Sequence, residues 1–353
     1  MIIYCSLFLY WFFLTSGRFV SKKQSLFKQF LLVTLPILLI MSLRSIDVGC
    51  DLFRYKNRFD DSYFYFYEHE YEKGFSAFNF FINNILHFNW QWYLVIVSLI
   101  TISSLFCFFS LSKQDKVLSF FIYASIGLFA FSLSGIRQML AISICYFALF
   151  LFFKINKKFF KLTIFIGLVF AAYFVHNSAI VFLIVLPLSL IRLNKTGAIV
   201  LLAISVLSIL LRQQILLLIF KIIPAKYLGL ADLEDYKMNM LDFAVTLSIP
   251  LFCVVFSKTE KKGKYNRFFS LMFIFACLNV AFTGFSLSNN QFGRIAFYFT
   301  NSYAVLIPFT LSCFRKEDRS LLTILICLLC VAYFLIGNHD GTYQIDNYRF
   351  FWG

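Results

Sequence analysis

The chain has 353 residues, of which 61% are hydrophobic, 21% aromatic and only 14% charged, and its formal net charge is +15. A soluble domain is about 45–50% apolar and about 25% charged, so this composition excludes a soluble enzyme and a disordered chain. The apolar residues run together, as in 94–111, 162–175 and 198–211, instead of alternating as barrel strands do, which excludes a transmembrane β-barrel.

The fold class expected is therefore all-α: a polytopic integral membrane protein forming a single transmembrane domain over 1–353. The first apolar stretch, Met1 to Thr15, has no basic leading region and no small-residue cleavage pattern, and reads as a short span rather than a secretory signal. In chain order the apolar runs give twelve spans: 2–16, 29–45, 90–111, 117–134, 138–153, 159–175, 178–192, 197–219, 241–257, 267–285, 293–313 and 320–336. The pair 159–175 and 178–192 would, if joined, be over 30 residues long, about 50 Å of helix, too long for one crossing. His176-Asn177-Ser178 supplies the break, and Pro187 is a kink candidate in the second half.

Charge sorts the connectors. With the amino terminus outside, the inner loops and their flanks carry twenty basic and four acidic residues, a balance of +16. The outer segments carry twelve basic and thirteen acidic residues, a balance of −1, and the two account for the +15. Cationic loops stay in the cytoplasm, so twelve spans and two extracytoplasmic termini support one another. Two outer loops are long, 44–89 and 220–240, and the carboxyl tail 337–353 is also outside. A loop as long as 44–89 without structure of its own is uncommon unless it is functional. Its run Tyr63-Phe64-Tyr65-Phe66-Tyr67 suits a membrane interface. Phe75, Phe78, Phe81, Ile82, Ile85 and Leu86 have helical spacing and predict an interfacial or partly re-entrant helix at about 74–87.

Eight of the nine cysteines fall in or at the ends of spans, and Cys50 alone lies in a polar loop. No intrachain disulfide is expected, and the spacing offers no zinc motif.

The polar residues that need a reason lie at outer span ends: Arg44, Arg137, His176 and Arg294. Snorkelling to outer headgroups is the plain explanation for each arginine. As a set they fit a phosphorylated lipid headgroup, because guanidinium binds phosphate through a planar fork and histidine exchanges a proton near neutral pH. The carboxylates Asp47, Asp51, Asp60, Asp61, Glu68, Glu70 and Glu72 lie in the first outer loop. Most read as a solvated surface, and Asp51 and Glu72 are the better candidates.

Residues 44–55 contain Arg44, Val48-Gly49, Asp51 and Tyr55, in the pattern R-x-x-x-V-G-x-D-x-x-x-Y. Glu72-Lys73-Gly74, then Arg137-Gln138 with Ala141, then His176-Asn177-Ser178-Ala179, then Arg294 with Tyr298, follow in order. This ordered set resembles the EpsG family of Wzy-like polysaccharide polymerases over about residues 40–300, with Cys50 and Leu52 where threonine is common. The resemblance implies a GT-C-like glycosyltransferase in the bacterial inner membrane. It would polymerise undecaprenyl-pyrophosphate-linked oligosaccharide repeat units into an O-antigen, capsule or exopolysaccharide at the outer face. It implies no cofactor, no nucleotide sugar and no metal. The partners implied are the lipid-linked oligosaccharide and membrane lipid, with a chain-length regulator and a flippase alongside, and no nucleic acid.

Fixed guanidinium groups would stabilise the departing pyrophosphate: Arg137 and Arg294, with Arg44 assisting. A general base would help the acceptor hydroxyl attack. Asp51 and His176 rank alike for that role, and Glu72 comes third. Tyr55, Tyr298 and Gln138 are candidate substrate contacts, with packing the alternative for both tyrosines. Gly49 and Gly74 are expected to permit loop turns. A ligase would use the same arginines on the same face. A lipid-linked oligosaccharide flippase, the non-enzymatic reading, should carry ionisable residues along a mid-membrane path, and the span centres here hold almost none.

Overall fold

The computed structural model describes residues 1–17, 19–20, 24–68, 72–222, 240–259, 263–338 and 341–353. The second outer loop, 220–240, and Glu70 lie almost wholly or wholly outside the described residues. Among those described the secondary structure is helical, with two isolated β-bridges and no strand.

In order, the helices are α1 (Ile2–Ser16), α2 (Leu26–Ser42), α3 (Leu52–Asp60), α4 (Ser62–Glu68), α5 (Lys73–Phe80), α6 (Trp90–Phe109), α7 (Lys116–Ser125), α8 (Leu128–Ser134), α9 (Ile136–Lys154), α10 (Lys158–Val175), α11 (Val185–Leu188), α12 (Lys195–Leu210), α13 (Arg212–Ile222), α14 (Met240–Phe256), α15 (Arg267–Phe285), α16 (Gln291–Thr300), α17 (Tyr303–Leu311) and α18 (Lys316–Gly337). Among the described residues, five helices are long and apolar enough to cross a membrane, or up to seven if each of two bent pairs is one span. Each of the twelve expected spans contains helix, but several of these helices are too short for that test. Helices such as Ile2–Ser16 and Leu26–Ser42, with 15 and 17 residues, reach only about 22–26 Å at 1.5 Å per residue, less than a hydrocarbon core of about 30 Å.

Three expected spans are not straight. The run 117–134 bends by 64° between α7 and α8, where Gly127 has φ +86°, and 197–219 bends by 82° between α12 and α13. The run 293–313 divides into α16 and α17. The break at His176 is present: α10 ends at Val175, and an eight-residue 3-10 segment, Asn177–Ile184, precedes the single turn of α11 that holds Pro187.

The chain divides into two compact units, 1–183 with 324–353, and 184–323. In the first unit, Trp11 is buried and its indole N–H donates to the Val33 carbonyl (2.8 Å), tying α1 to α2. Helices α9 and α10 form a hairpin of nearly matched length, 19 and 18 residues, joined through Ile155–Lys157. The start of α9 therefore lies beside the end of α10, which places Arg137 near His176 although 39 positions separate them.

The long first loop is structured. It contains α3, α4 and α5, and α5 runs on through a wide turn, Phe81–Ile85, so a helix occupies most of the expected 74–87 segment. Phe75 and Ile82 face the interior, while Phe81 and Ile85 are exposed. The carboxyl tail pairs with the start of this loop. Ser45 N–H donates to the Arg349 carbonyl (2.8 Å), Cys50 N–H to Tyr343 (3.2 Å), and Phe351 N–H back to Leu43 (3.0 Å). The amino-terminal ammonium donates to the Asp346 carbonyl at 2.7 Å. Both termini and the loop 44–51 thus meet at one end of this unit. Gly49 makes that turn possible: its φ is +121°, and a Cβ there would lie 2.3 Å from the Leu133 carbonyl oxygen.

In the second unit, Tyr265 N–H donates to the Leu193 carbonyl (2.8 Å) and Asn194 bridges Lys264. The segments 193–196 and 263–266, both assigned to the inner side by charge, therefore share an end.

Candidate functional site

Glu72 stands at the head of α5, at the position where a side chain could cap the helix, but it makes no capping bond. Its carboxylate is turned to three other partners. Oε2 accepts from a terminal guanidinium nitrogen of Arg137 at 2.7 Å. Oε1 lies 3.1 Å from Nδ1 of His176 and also accepts from the Asn177 backbone N–H at 3.1 Å. The side chains of Glu72, His176 and Arg137 are 11%, 15% and 19% exposed, so the cluster is largely shielded while still reaching the surface.

Helix geometry explains the need for a carboxylate here. Arg137 is in the first turn of α9, where the positive end of the helix dipole disfavours a cation. Glu72 offsets both. His176 caps the end of α10: its backbone N–H still bonds Ala172 (2.8 Å), but its φ of −155° turns the chain out of the helix. That turn aims the next N–H, of Asn177, at the carboxylate.

Gly74 brings α5 close enough. A Cβ at this position would sit 2.7 Å from the Phe174 carbonyl oxygen, so only glycine allows α5 to lie against the last turn of α10. The expected role in a loop turn is corrected here, because Gly74 is helical and its function is close approach. Phe75 beside it packs edge-on against Tyr55 at 5.8 Å.

Burial raises the Glu72 carboxyl pKa, but the His176 hydrogen bond, the Arg137 charge and the backbone N–H donors outweigh it, and the group is held down at about 2. A carboxylate with so low a pKa is a weak base. Glu72, third among the expected general-base candidates, is on this ground better suited to orienting its partners than to taking a proton. An ionised carboxylate only accepts hydrogen bonds, so the proton shared with Glu72 sits on His176 Nδ1. In the neutral ring the lone pair is then on Nε2.

Within the first unit the structure brings together Glu72, Arg137 and His176. Asp51 is half-buried at the head of α3 and makes no capping bond. Gln138 and Tyr55 are buried, at 4% and 8% exposure. Arg44 is 2% exposed and donates to the Met41 carbonyl, beneath the carboxyl tail. Arg294 is exposed in the first turn of α16, and Tyr298 is fully buried on the same helix, both in the second unit. Sequence reasoning missed the Asn177 N–H. The signal was present in the break itself, since a residue leaving a helix in extended geometry must direct its neighbour's N–H elsewhere.

A model of the EpsG family matches residues 27–350, most of the chain. No curated protein and no solved structure matches it.

Proposed function

We propose that this chain, which belongs to the EpsG family, is a multi-pass membrane glycosyltransferase that polymerises polyprenyl-pyrophosphate-linked oligosaccharide repeat units, with the Glu72 end of its first unit outside the cytoplasm. The family is associated with polysaccharide biosynthesis. The observation that carries the proposal is the Glu72 carboxylate joined at once to His176 and Arg137.

In the proposed reaction His176 Nε2 takes the proton of the acceptor hydroxyl as its oxygen bonds to the anomeric carbon of the donor glycan. The bond from that carbon to the lipid pyrophosphate breaks, and the pyrophosphate leaves with the electron pair. Glu72 and Arg137 cancel one another in the resting cluster. Once His176 is protonated the cluster carries one net positive charge, gained as the leaving group becomes more negative. An interaction that strengthens along the reaction accelerates it. The chemistry is assigned to residues of the first unit alone.

The test is reconstitution. Purified protein in liposomes, supplied with a lipid-linked repeat unit, is expected to yield a ladder of lengthened glycans and release one polyprenyl pyrophosphate per linkage. Transfer of single units to an unrelated acceptor would indicate a ligase, and movement across the bilayer without new linkages a flippase. Sidedness is tested separately. Cys50 is the one cysteine of the nine that is exposed, and a membrane-impermeant thiol reagent is expected to label it in spheroplasts. Labelling only after lysis would reverse the orientation.

A further inference from the structure

One end of the second unit gathers cations from three separated stretches of sequence. Tyr265, 1% exposed, is where they meet. Its backbone N–H donates to the Leu193 carbonyl at 2.8 Å, and its hydroxyl accepts from Ser257 Oγ at 3.0 Å. Leu193, Tyr265 and Ser257 are all buried, and beside each in the chain stands an exposed cation: Arg192, Lys264 and Lys258. Gly263, with φ +68°, turns the chain into this junction. The segment after α17 reaches the same end, because the Phe314 ring lies 5.3 Å from that of Phe256.

The described residues of 192–195, 258–267 and 315–319 hold eight basic and two acidic side chains, with Glu260, Lys261 and Lys262 outside the described residues. The positive-inside rule accounts for cations on this side, but not for what each one touches. Three serve helix ends, where carbonyls lack partners within the helix. Lys195 Nζ donates to the Val255 carbonyl of α14 at 3.1 Å, Arg267 Nε–H to the Ser189 carbonyl just past α11, and Arg319 to the Ser312 carbonyl just past α17 at 2.9 Å. Arg192, Lys258 and Lys264 make no ion pair among the described residues, where the paired cations are Lys56, Arg137 and His176. Three like charges held around one buried tyrosine repel one another, and an anion lying across them relieves that cost. The surroundings indicate its kind. Leu190 and Ile191 lead into Arg192, Val255 and Phe256 lead into Ser257-Lys258, and all four apolar side chains are exposed. An anion that carries hydrocarbon covers both the charge and the apolar surface, whereas a soluble acidic protein would answer only the charge.

We infer that this end of the second unit binds the headgroup of an anionic phospholipid, with Arg192, Lys258 and Lys264 against its phosphodiester and the neighbouring apolar side chains along its acyl chains. Basic clusters beside a membrane span attract such lipids by about fivefold in affinity per Lys or Arg. The surface shares no residue with the Glu72–Arg137–His176 cluster and does not rest on the polymerase reading.

The test uses full-length protein in detergent and measures binding by native mass spectrometry. Three probes are compared: phosphatidylglycerol, phosphatidylcholine with the same acyl chains, and soluble polyglutamate. The wild type is expected to bind phosphatidylglycerol saturably and about tenfold or more tighter than phosphatidylcholine. Combining Arg192→Gln, Lys258→Gln and Lys264→Gln removes the three unpaired charges and keeps Lys195, Arg267 and Arg319 at the helix ends. This variant is expected to weaken the tightest phosphatidylglycerol site about a hundredfold. Combining Lys154→Gln, Lys157→Gln and Lys158→Gln removes three exposed cations from an inner loop of the first unit, and is expected to leave that site within about threefold, since distant surface charges are screened. Equal losses in the two variants would mean that net charge alone attracts the lipid, and would overturn the site. So would phosphatidylcholine binding as tight as phosphatidylglycerol, or polyglutamate binding tighter than either, which would mark a surface for an acidic protein. Where the triple variant at 192, 258 and 264 fails to fold, the single variants decide: each is expected to cost about fivefold, and no loss in any of them overturns the site.

Discussion

Arg137→Lys and Glu72→Gln are each expected to abolish long polymer and leave single-repeat lipid-linked products at normal protein levels. Lysine keeps the charge of Arg137 but loses the planar fork that reaches Glu72 at 2.7 Å. Losing one oriented donor to a developing oxyanion costs on the order of 3 kcal/mol, roughly a hundredfold in rate. Glutamine at position 72 keeps the shape and loses the charge. Arg137 then loses the carboxylate that it meets at 2.7 Å and is held in place less firmly. The amide can also donate to His176, which releases the ring from the single tautomer that a carboxylate enforces. A fall of about 10²–10⁴-fold in turnover is expected. Asp51→Asn is the informative comparison. Asp51 sits at the head of α3 without a capping bond, and its loss should leave polymer length near normal. Near-normal chain length in both the lysine and the glutamine variants would remove this cluster from the reaction. A collapse in Asp51→Asn alone would move the base to α3.

The helices were legible because burial in a membrane writes them as long apolar runs, and the break before the 3-10 segment was legible because His176-Asn177-Ser178 interrupts one. The expected sides rest on charge, and within each unit segments assigned to one side meet: Met1 with Asp346, and Tyr265 with Leu193. Bends were less legible. Gly127 is one glycine in an apolar run, and only its positive φ marks the 64° turn. The site was half legible. Arg137 and His176 stood out as polar residues at outer span ends, and Glu72 was one of two favoured carboxylates among seven in the loop, but their meeting could not be read. Periodicity reports which way a helix faces and not which residue 65 or 104 positions away it will meet. That pairing depends on the matched lengths of α9 and α10 and on the docking of α5. The tail was opaque for the same reason: 341–353 has no periodic pattern, and its partner at 43–50 lies at the other end of the sequence.

The docking of α5 can be tested without touching a charge. In Gly74→Ala the new Cβ would lie 2.7 Å from the Phe174 carbonyl oxygen and 2.8 Å from its carbon. Both are backbone atoms at the end of a hydrogen-bonded helix, so neither can rotate away, and α5 must withdraw. Overpacking of this kind costs about 1–3 kcal/mol. Glu72 lies two residues before Gly74 and moves with it. Its bonds to His176 and Asn177 are already 3.1 Å long, so a shift of about 0.5 Å takes them past useful hydrogen-bond length. A misplacement of about 1 Å in a catalytic group can cost about a hundredfold. Gly74→Ala is therefore expected to reduce polymer strongly, and Gly74→Val to abolish it, with every ionisable residue still present. Gly167→Ala is the matched control. Gly167 lies on α10, the helix against which α5 docks, and a Cβ there meets nothing within 4 Å. Its replacement should leave polymer length unchanged and raise stability by up to about 1 kcal/mol through helix propensity. If Gly74→Val made full-length polymer, α5 would be free to stand away from α10 during turnover. Glu72 would then not be needed at His176, and the base would have to be oriented by another group.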